Sequence, residues 1–246
     1  DKIFARKTIF GQPIVHGCHL LIYALNIVYK KNKIIGKKFQ VNFLKPVFTN
    51  QLLTFYINEL EDTILIANKE IIFVKINIEK NQPIPHTNSD YKKNLRKSKP
   101  KKLSIKLIKK NKTYKFVHAC EIKKARNKFP YLYQAYGSLT ASELFDLSYL
   151  VGMECPGKHS LFLEANIELK YQNINPNYKI SKYDYRFKLL NISTKTKNMS
   201  VEIKAFIRPA PVVFPNIKEL KKIVKNKEFK SIKALIIGGS RGLGSL

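Results

Sequence analysis

Residues 10–19 read FGQPIVHGCH and run straight into LLIYALNIVYK at 20–30. Ile14, Val15, Cys18, Leu20, Leu21, Ile22, Leu25 and Val28 leave almost no polar face. A helix that is apolar all round is buried on most sides, and Pro13 suits a first helical position. The stretch therefore predicts a central helix over residues 13–30, enclosed by other elements. Gly17 is out of place in it, because Gly costs about 1 kcal/mol against Ala in a helix interior. Two reasons can place it there. The helix packs unusually close to a sheet, or a ligand atom approaches the backbone near the helix start.

Strands follow outward from that helix. FQVNFL at 39–44 and LLTFYINEL at 52–60 precede IIFVKINIEK at 71–80. In the last, Ile72, Val74, Ile76 and Ile78 alternate with Lys75, Asn77 and Glu79, the pattern of a half-buried strand. The same order then returns. GSLTASELFDLSYLVGM at 137–153 reads as a helix that Ser138 or Thr140 can cap. Thr140 and Glu143 are spaced as a capping box, and the CPG turn at 155–157 ends the helix. HSLFLEANIELKY at 159–171 alternates Leu161, Leu163, Ala165, Ile167 and Leu169 with Glu164, Asn166, Glu168 and Lys170. Further strands are expected at about 182–191 and 200–208. A helix followed by antiparallel strands thus occurs twice, with a period of roughly 130 residues.

Residues 92–112 carry eleven basic side chains and no acidic one, which reads as a solvated linker. Tyr91 is the only aromatic residue beside it, so no stacking platform for nucleic acid is present. The whole chain of 246 residues has a formal charge of +29, and six of its 46 basic residues are Arg. Lys is spread along nearly its full length, as biased base composition produces. Charge of this kind speaks to solubility and non-specific binding rather than to fold. No nucleic-acid partner is expected. Cys18, Cys120 and Cys155 are too few and scattered for a disulfide framework, and a cytoplasmic setting is the expectation. No apolar run reaches the roughly 18 residues that cross a bilayer, so no membrane partner is expected either.

FGQPIVHG resembles the helix signature of the MaoC-like dehydratases, the (R)-specific enoyl-CoA hydratase family. The opening DKIFARKTIFGQPIVHG matches that family's spacing, with Asp1 on the last position of its D-x-N-P-x-H-x-D segment. The second repeat, LSYLVGMECPGKHSLF at 147–162, looks like the second hot dog of MaoC-type domains fused to a reductase. The chain's end, ALIIGGSRGLG, resembles the first strand and cofactor loop of short-chain dehydrogenases/reductases. An apolar strand directly before the Gly-rich run is the context that motif needs.

The resemblance implies an α+β double hot-dog fold, a central helix wrapped by antiparallel sheet, repeated twice, with the first strand of a truncated Rossmann domain at the C-terminus. The boundaries that follow are a first repeat at 1–88, a basic linker at 89–112 and a second repeat at 113–215. A connector at 216–231 and the reductase start at 232–246 complete the chain, which reads as a piece of a longer protein. The implied reaction is hydration or dehydration of enoyl and 3-hydroxyacyl thioesters of CoA or acyl carrier protein, by a homodimer. The acid–base Asp and His of the family would lie before Asp1. Within the chain, His16 and Gly17 at the helix N-terminus are the catalytic candidates, offering unpaired N–H groups to an enolate-like oxygen. Gly238, Ser240, Arg241, Gly242 and Gly244 would bind NADP or NAD, Arg241 favouring the 2′-phosphate of NADP. Neither His16, Cys18 and His19 nor Cys155 with His159 makes a four-ligand metal set, so no metal is expected. His159, with no evident carboxylate partner, points to a structural second repeat. A non-catalytic acyl-binding or dimerisation scaffold is the competing reading.

Overall fold

The computed structural model describes residues 5, 8–69, 71–80, 99–102, 112–210, 217–224, 228, 230, 232–233 and 235. The chain divides into two compact units, Ile14–Pro209 and a smaller one made of Asp1–Pro13 with Ala210–Leu246.

In the larger unit the first repeat is α1 (Gly17–Asn32), β1 (Gly36–Phe43), β2 (Thr54–Asn58), β3 (Thr63–Asn68) and β4 (Ile71–Lys80). The second adds β5 (Thr113–Lys115), α2 (Ile122–Lys128) and α3 (Pro130–Tyr149), then β6 (Ser160–Leu169), β7 (Asn177–Asp184), β8 (Leu189–Lys195) and β9 (Met199–Ile207). One antiparallel sheet holds all nine strands in the order β2-β3-β4-β1-β6-β9-β8-β7-β5. Read outward from the β1–β6 junction, the two halves repeat each other, and β5 extends one edge. Each half is a buried helix packed with antiparallel strands of the sheet, the hot-dog-like arrangement.

Both helices are buried for the reason the sequence suggests. Cys18, Leu20, Leu21, Ile22, Ala24, Leu25 and Val28 of α1 join Leu132, Leu144 and Leu147 of α3 in one core with Phe39, Val41, Ile76, Ile167 and Ile203 of the sheet. Polar bonds then set how the repeats meet. Asn26 Oδ1 accepts from the Leu132 amide at 3.0 Å, and Tyr136 OH accepts from the Gly36 amide at 3.2 Å.

Several expectations change at this level. α1 begins at Gly17 rather than Pro13, because Ile14 bridges Phe48 and the Val15 amide donates to Val47 O at 2.8 Å. Gly17 therefore opens the helix instead of interrupting it. In β4, Val74, Ile76 and Ile78 are buried but Ile72 is exposed, and Phe73 is buried in its place. The register shifts where Ile66 pairs Val74 and Ala67 pairs Ile72, leaving Phe73 as the extra residue of a bulge. β6 does the same. Phe162 pairs Ala205 and Glu164 pairs Lys204, so Leu163 is the extra residue and Phe162, not Leu163, faces the core. One inserted residue turns every side chain beyond it to the other face.

The strand expected over 182–191 is the end of β7 and the start of β8. Between them Asp184 Oδ1 accepts from the Arg186 and Phe187 amides, the local turn chemistry of a short acidic side chain. The second-repeat helix starts early, at Pro130, with non-helical backbone at Gly137 (φ 72°, ψ 170°). The linker is not wholly solvated: the Lys101 amide donates to Met153 O, Lys102 bridges Gly157, and Lys101 Nζ pairs with buried Glu154.

In the smaller unit, the backbone amide and hydroxyl of Thr8 both donate to Ala5 O. The charged connector contains α4 (Ile217–Ile223). Ile232, Lys233 and Leu235 carry no regular structure, and the candidate cofactor loop Gly238, Ser240, Arg241, Gly242 and Gly244 lies outside the described residues.

Candidate functional site

α1 presents its N-terminus without a side-chain cap. The amides of Gly17 and Cys18 make no hydrogen bond among the described residues, while His19 N donates to His16 O at 2.9 Å. Unpaired first-turn amides and the positive end of the helix dipole attract an oxygen bearing negative charge. Gly17 also has a packing duty. A Cβ there would lie 2.9 Å from Phe43 Cε1 and 3.2 Å from Phe162 Cβ. The bare Cα thus lets α1 approach the sheet, and its N–H is a separate feature of the same residue.

Beside this N-terminus opens a cavity of about 970 Å³. His16 and His19 reach it from the first repeat; Cys120, Lys128, Phe145 and Met153 are among those that line it from the second. Gly17 does not line it. The His16 ring stays accessible through the cavity although protein crowds it, and that crowding, followed by the like charge of His19, lowers its pKa to about 4. It is neutral at physiological pH. Burial, then Lys128, lowers His19 as well. His16 Nδ1 lies 3.1 Å from Ser148 Oγ, across the boundary between repeats. Cys18 points into the core instead, where burial raises its thiol. The His16, Cys18 and His19 cluster therefore does not converge, and no metal-holding group of three or more ligating residues occurs among the described residues.

α3 carries two buried carboxylates three residues apart. Asp146 Oδ1 accepts from the amides of Ala119 and Cys120, both at 2.8 Å, while Oδ2 lies 3.0 Å from His118 Nδ1. Glu143 accepts from Thr196 Oγ1 at 2.7 Å and from the amides of Lys197 and Asn198. Glu143 thus does not close a capping box with Thr140, whose hydroxyl accepts from Asn198 Nδ2. Both carboxylates point away from the helix and tie down loops that belong to other elements. Charged groups in a core need such multiple bonds. Burial, only partly offset by the Thr196 bond and by His118, raises Glu143 to about 7.

His159 stands apart from this cavity in left-handed backbone (φ 69°), its carbonyl accepting from the amide and Nε of Arg208. Burial and the charges of Lys158, Arg208 and Lys102 lower its pKa. The residues that sequence reading passed over are Ser148 and the His118–Asp146 pair. Asp146 did carry a signal: with Glu143 it sits on the apolar face of α3, where a carboxylate needs a partner. His118, 28 residues away, carried no such signal in the sequence.

Comparison with known proteins bears on the first repeat. Residues 1–81 match the MaoC like domain family. No curated protein matches the chain. Among solved structures, the tesB protein of Mycobacterium avium subs paratuberculosis is 10% identical, covering 80% of this chain and 88% of that one at a TM-score of 0.47. The acyl-CoA thioesterase II TesB2 from Mycobacterium marinum is 10% identical, with coverages of 82% and 92% and a TM-score of 0.45. The dehydratase domain of a mycocerosic acid synthase-like PKS is also 10% identical, with coverages of 81% and 83% and a TM-score of 0.41. The MaoC-like segment contains α1 and all four strands around it. No described helix is long and apolar enough to cross a membrane.

Proposed function

We propose that this protein is a hydratase/dehydratase acting on enoyl and 3-hydroxyacyl thioesters of CoA or acyl carrier protein. The observation that carries the reading is the match of residues 1–81 to the MaoC like domain, whose helix N-terminus presents unpaired amides beside a cavity of about 970 Å³. The thioester carbonyl would sit at that N-terminus, where amides and helix dipole stabilise the enolate-like oxygen formed as water adds to or leaves the double bond. His16, neutral and open to the cavity, is the side chain best placed to share that oxygen. The acid–base Asp and His belong, on the family resemblance, to positions before Asp1. The apolar wall of Phe129, Phe145 and Met153 suits an acyl chain.

The proposal extends to an attached short-chain reductase using NADP or NAD, with Gly238, Ser240, Arg241, Gly242 and Gly244 as its cofactor loop. Sequence pattern alone supports that part. A homodimer remains the expected assembly on the same ground.

The test is titration with crotonyl-CoA by isothermal calorimetry. Saturable binding that weakens in His16→Ala supports the reading. Absence of saturable binding up to about 1 mM, a free energy near −4 kcal/mol, overturns it.

A further inference from the structure

The first repeat does not build the cavity at the head of α1 by itself. His16 belongs to that repeat, yet its ring is held from the second. Its Nδ1 lies 3.1 Å from Ser148 Oγ on α3. Its edge meets the Phe162 ring of β6, with centroids 5.7 Å apart and planes at 76°. Its Nε2 faces Gly152, where a Cβ would stand only 3.2 Å away. Gly152 lies in a π-helical turn, Leu150–Glu154, that closes α3 with the Cys155 amide donating to Leu150 O at 2.7 Å. Such turns are rare and gather at functional sites.

These contacts have a definite chemical consequence. A neutral imidazole donates from one nitrogen and accepts at the other. The Ser148 hydroxyl makes no other hydrogen bond among the described residues; when it donates to His16 Nδ1, the imidazole proton sits on Nε2. A Cβ at position 152 would stand against Nε2 and crowd any group approaching it, and Gly152 and His16 both line the cavity. We infer that the second repeat is the positioning element of this site: Ser148 holds His16 as the Nε2–H tautomer, and Gly152 leaves the place at that N–H open for the carbonyl oxygen of an acyl thioester.

Ser148 is thus a positioning residue and His16 a neutral donor. The nature of the acceptor rests on the function proposed above; the tautomer does not.

Imidazole nitrogen chemical shifts of His16, read by NMR on the unliganded protein, test the inference. The wild type is expected to show the Nε2–H tautomer. Ser148→Ala is expected to mix the two tautomers, and Ser148→Thr, which keeps the hydroxyl, to restore the wild-type spectrum. Crotonyl-CoA affinity should fall about tenfold in Ser148→Ala, the effect of one hydrogen bond. Gly152→Ala should weaken binding with the tautomer unchanged. A wild-type Nδ1–H tautomer, or a Ser148→Ala spectrum identical to wild type, overturns the inference whatever the binding result. The expected tautomer pattern with no thioester binding in any variant, wild type included, upholds the positioning by Ser148 and overturns the proposed function.

Discussion

Glu143 Oε2 receives a 2.7 Å hydrogen bond from Thr196 Oγ1, joining the middle of α3 to the hairpin between β8 and β9. Burial places this carboxyl near pKa 7, above its ordinary 4.5. The folded state therefore holds the proton more tightly than the unfolded chain. The resulting stability is complete below about pH 4.5 and is lost as pH rises through 7. Glu143→Gln is expected to remove that slope, gaining on wild type by on the order of 3 kcal/mol at pH 8 and little at pH 4.5. Urea unfolding of both proteins at the two pH values measures it; parallel curves would refute the assignment.

His16 titrates with the opposite sign. Its folded pKa of about 4 lies below the ordinary 6.5, so its contribution is present above pH 6.5 and is lost as pH falls through 4. In the Glu143→Gln background this slope should stand exposed. Adding His16→Gln should reduce the slope between pH 6.5 and 4, leaving the part that His19 and His159 contribute in the same direction. An unchanged slope in the double variant would mean that His16 is not a source of it.

Asp146 anchors the loop before α2 through two backbone amides and His118. Asp146→Ala removes the acceptor of both amides and should destabilise by about 1–3 kcal/mol or more. His118→Ala, which leaves the amide bonds in place, should have the smaller effect. Equal losses by chemical denaturation would make the imidazole, rather than the amides, the principal anchor.

The bulge in β6 makes neighbouring apolar residues unequal. Phe162 is 7% exposed and Leu163 40%. Phe162→Ala should destabilise by about 3–5 kcal/mol, whereas Leu163→Ser should stay within about 0.5 kcal/mol. Thermal melts of the pair decide the register, and a larger loss at Leu163 would mean that the strand alternates without interruption.

Gly17→Ala should destabilise despite Ala's better helix propensity. The added methyl would come within 2.9 Å of Phe43 Cε1, and overpacking costs about 1–3 kcal/mol. Phe43→Leu in the same chain should recover most of that loss. Crotonyl-CoA binding retained in the double variant would assign the glycine to packing; binding lost there with stability restored would assign it to ligand approach.

The alternating runs at 71–80 and 159–171 were legible because one buried face imposes a period of two, and α1 was legible because it is buried on most sides. Legibility stopped at the bulges, at the start of α1 and in the linker. Each of those depends on a partner far along the chain: Ala205 opposite Phe162, Val47 opposite Val15, Met153 opposite Lys101. His16 was legible as a candidate through its place in PIVHG, whereas Ser148, 132 residues away, had no local mark.

The amino-acid sequence by itself determined that two apolar helices would each be wrapped by amphipathic antiparallel strands, because hydrophobic periodicity acts through burial and needs no knowledge of which element is the neighbour. Only the tertiary structure decided which side chains those helices bring together. The Glu143–Thr196, Asp146–His118 and His16–Ser148 pairs each depend on a few ångströms between segments distant in sequence. A hydrogen bond is short and directional, so the second repeat had to be packed before the first two pairs were defined, and the two repeats had to be packed together before the third was.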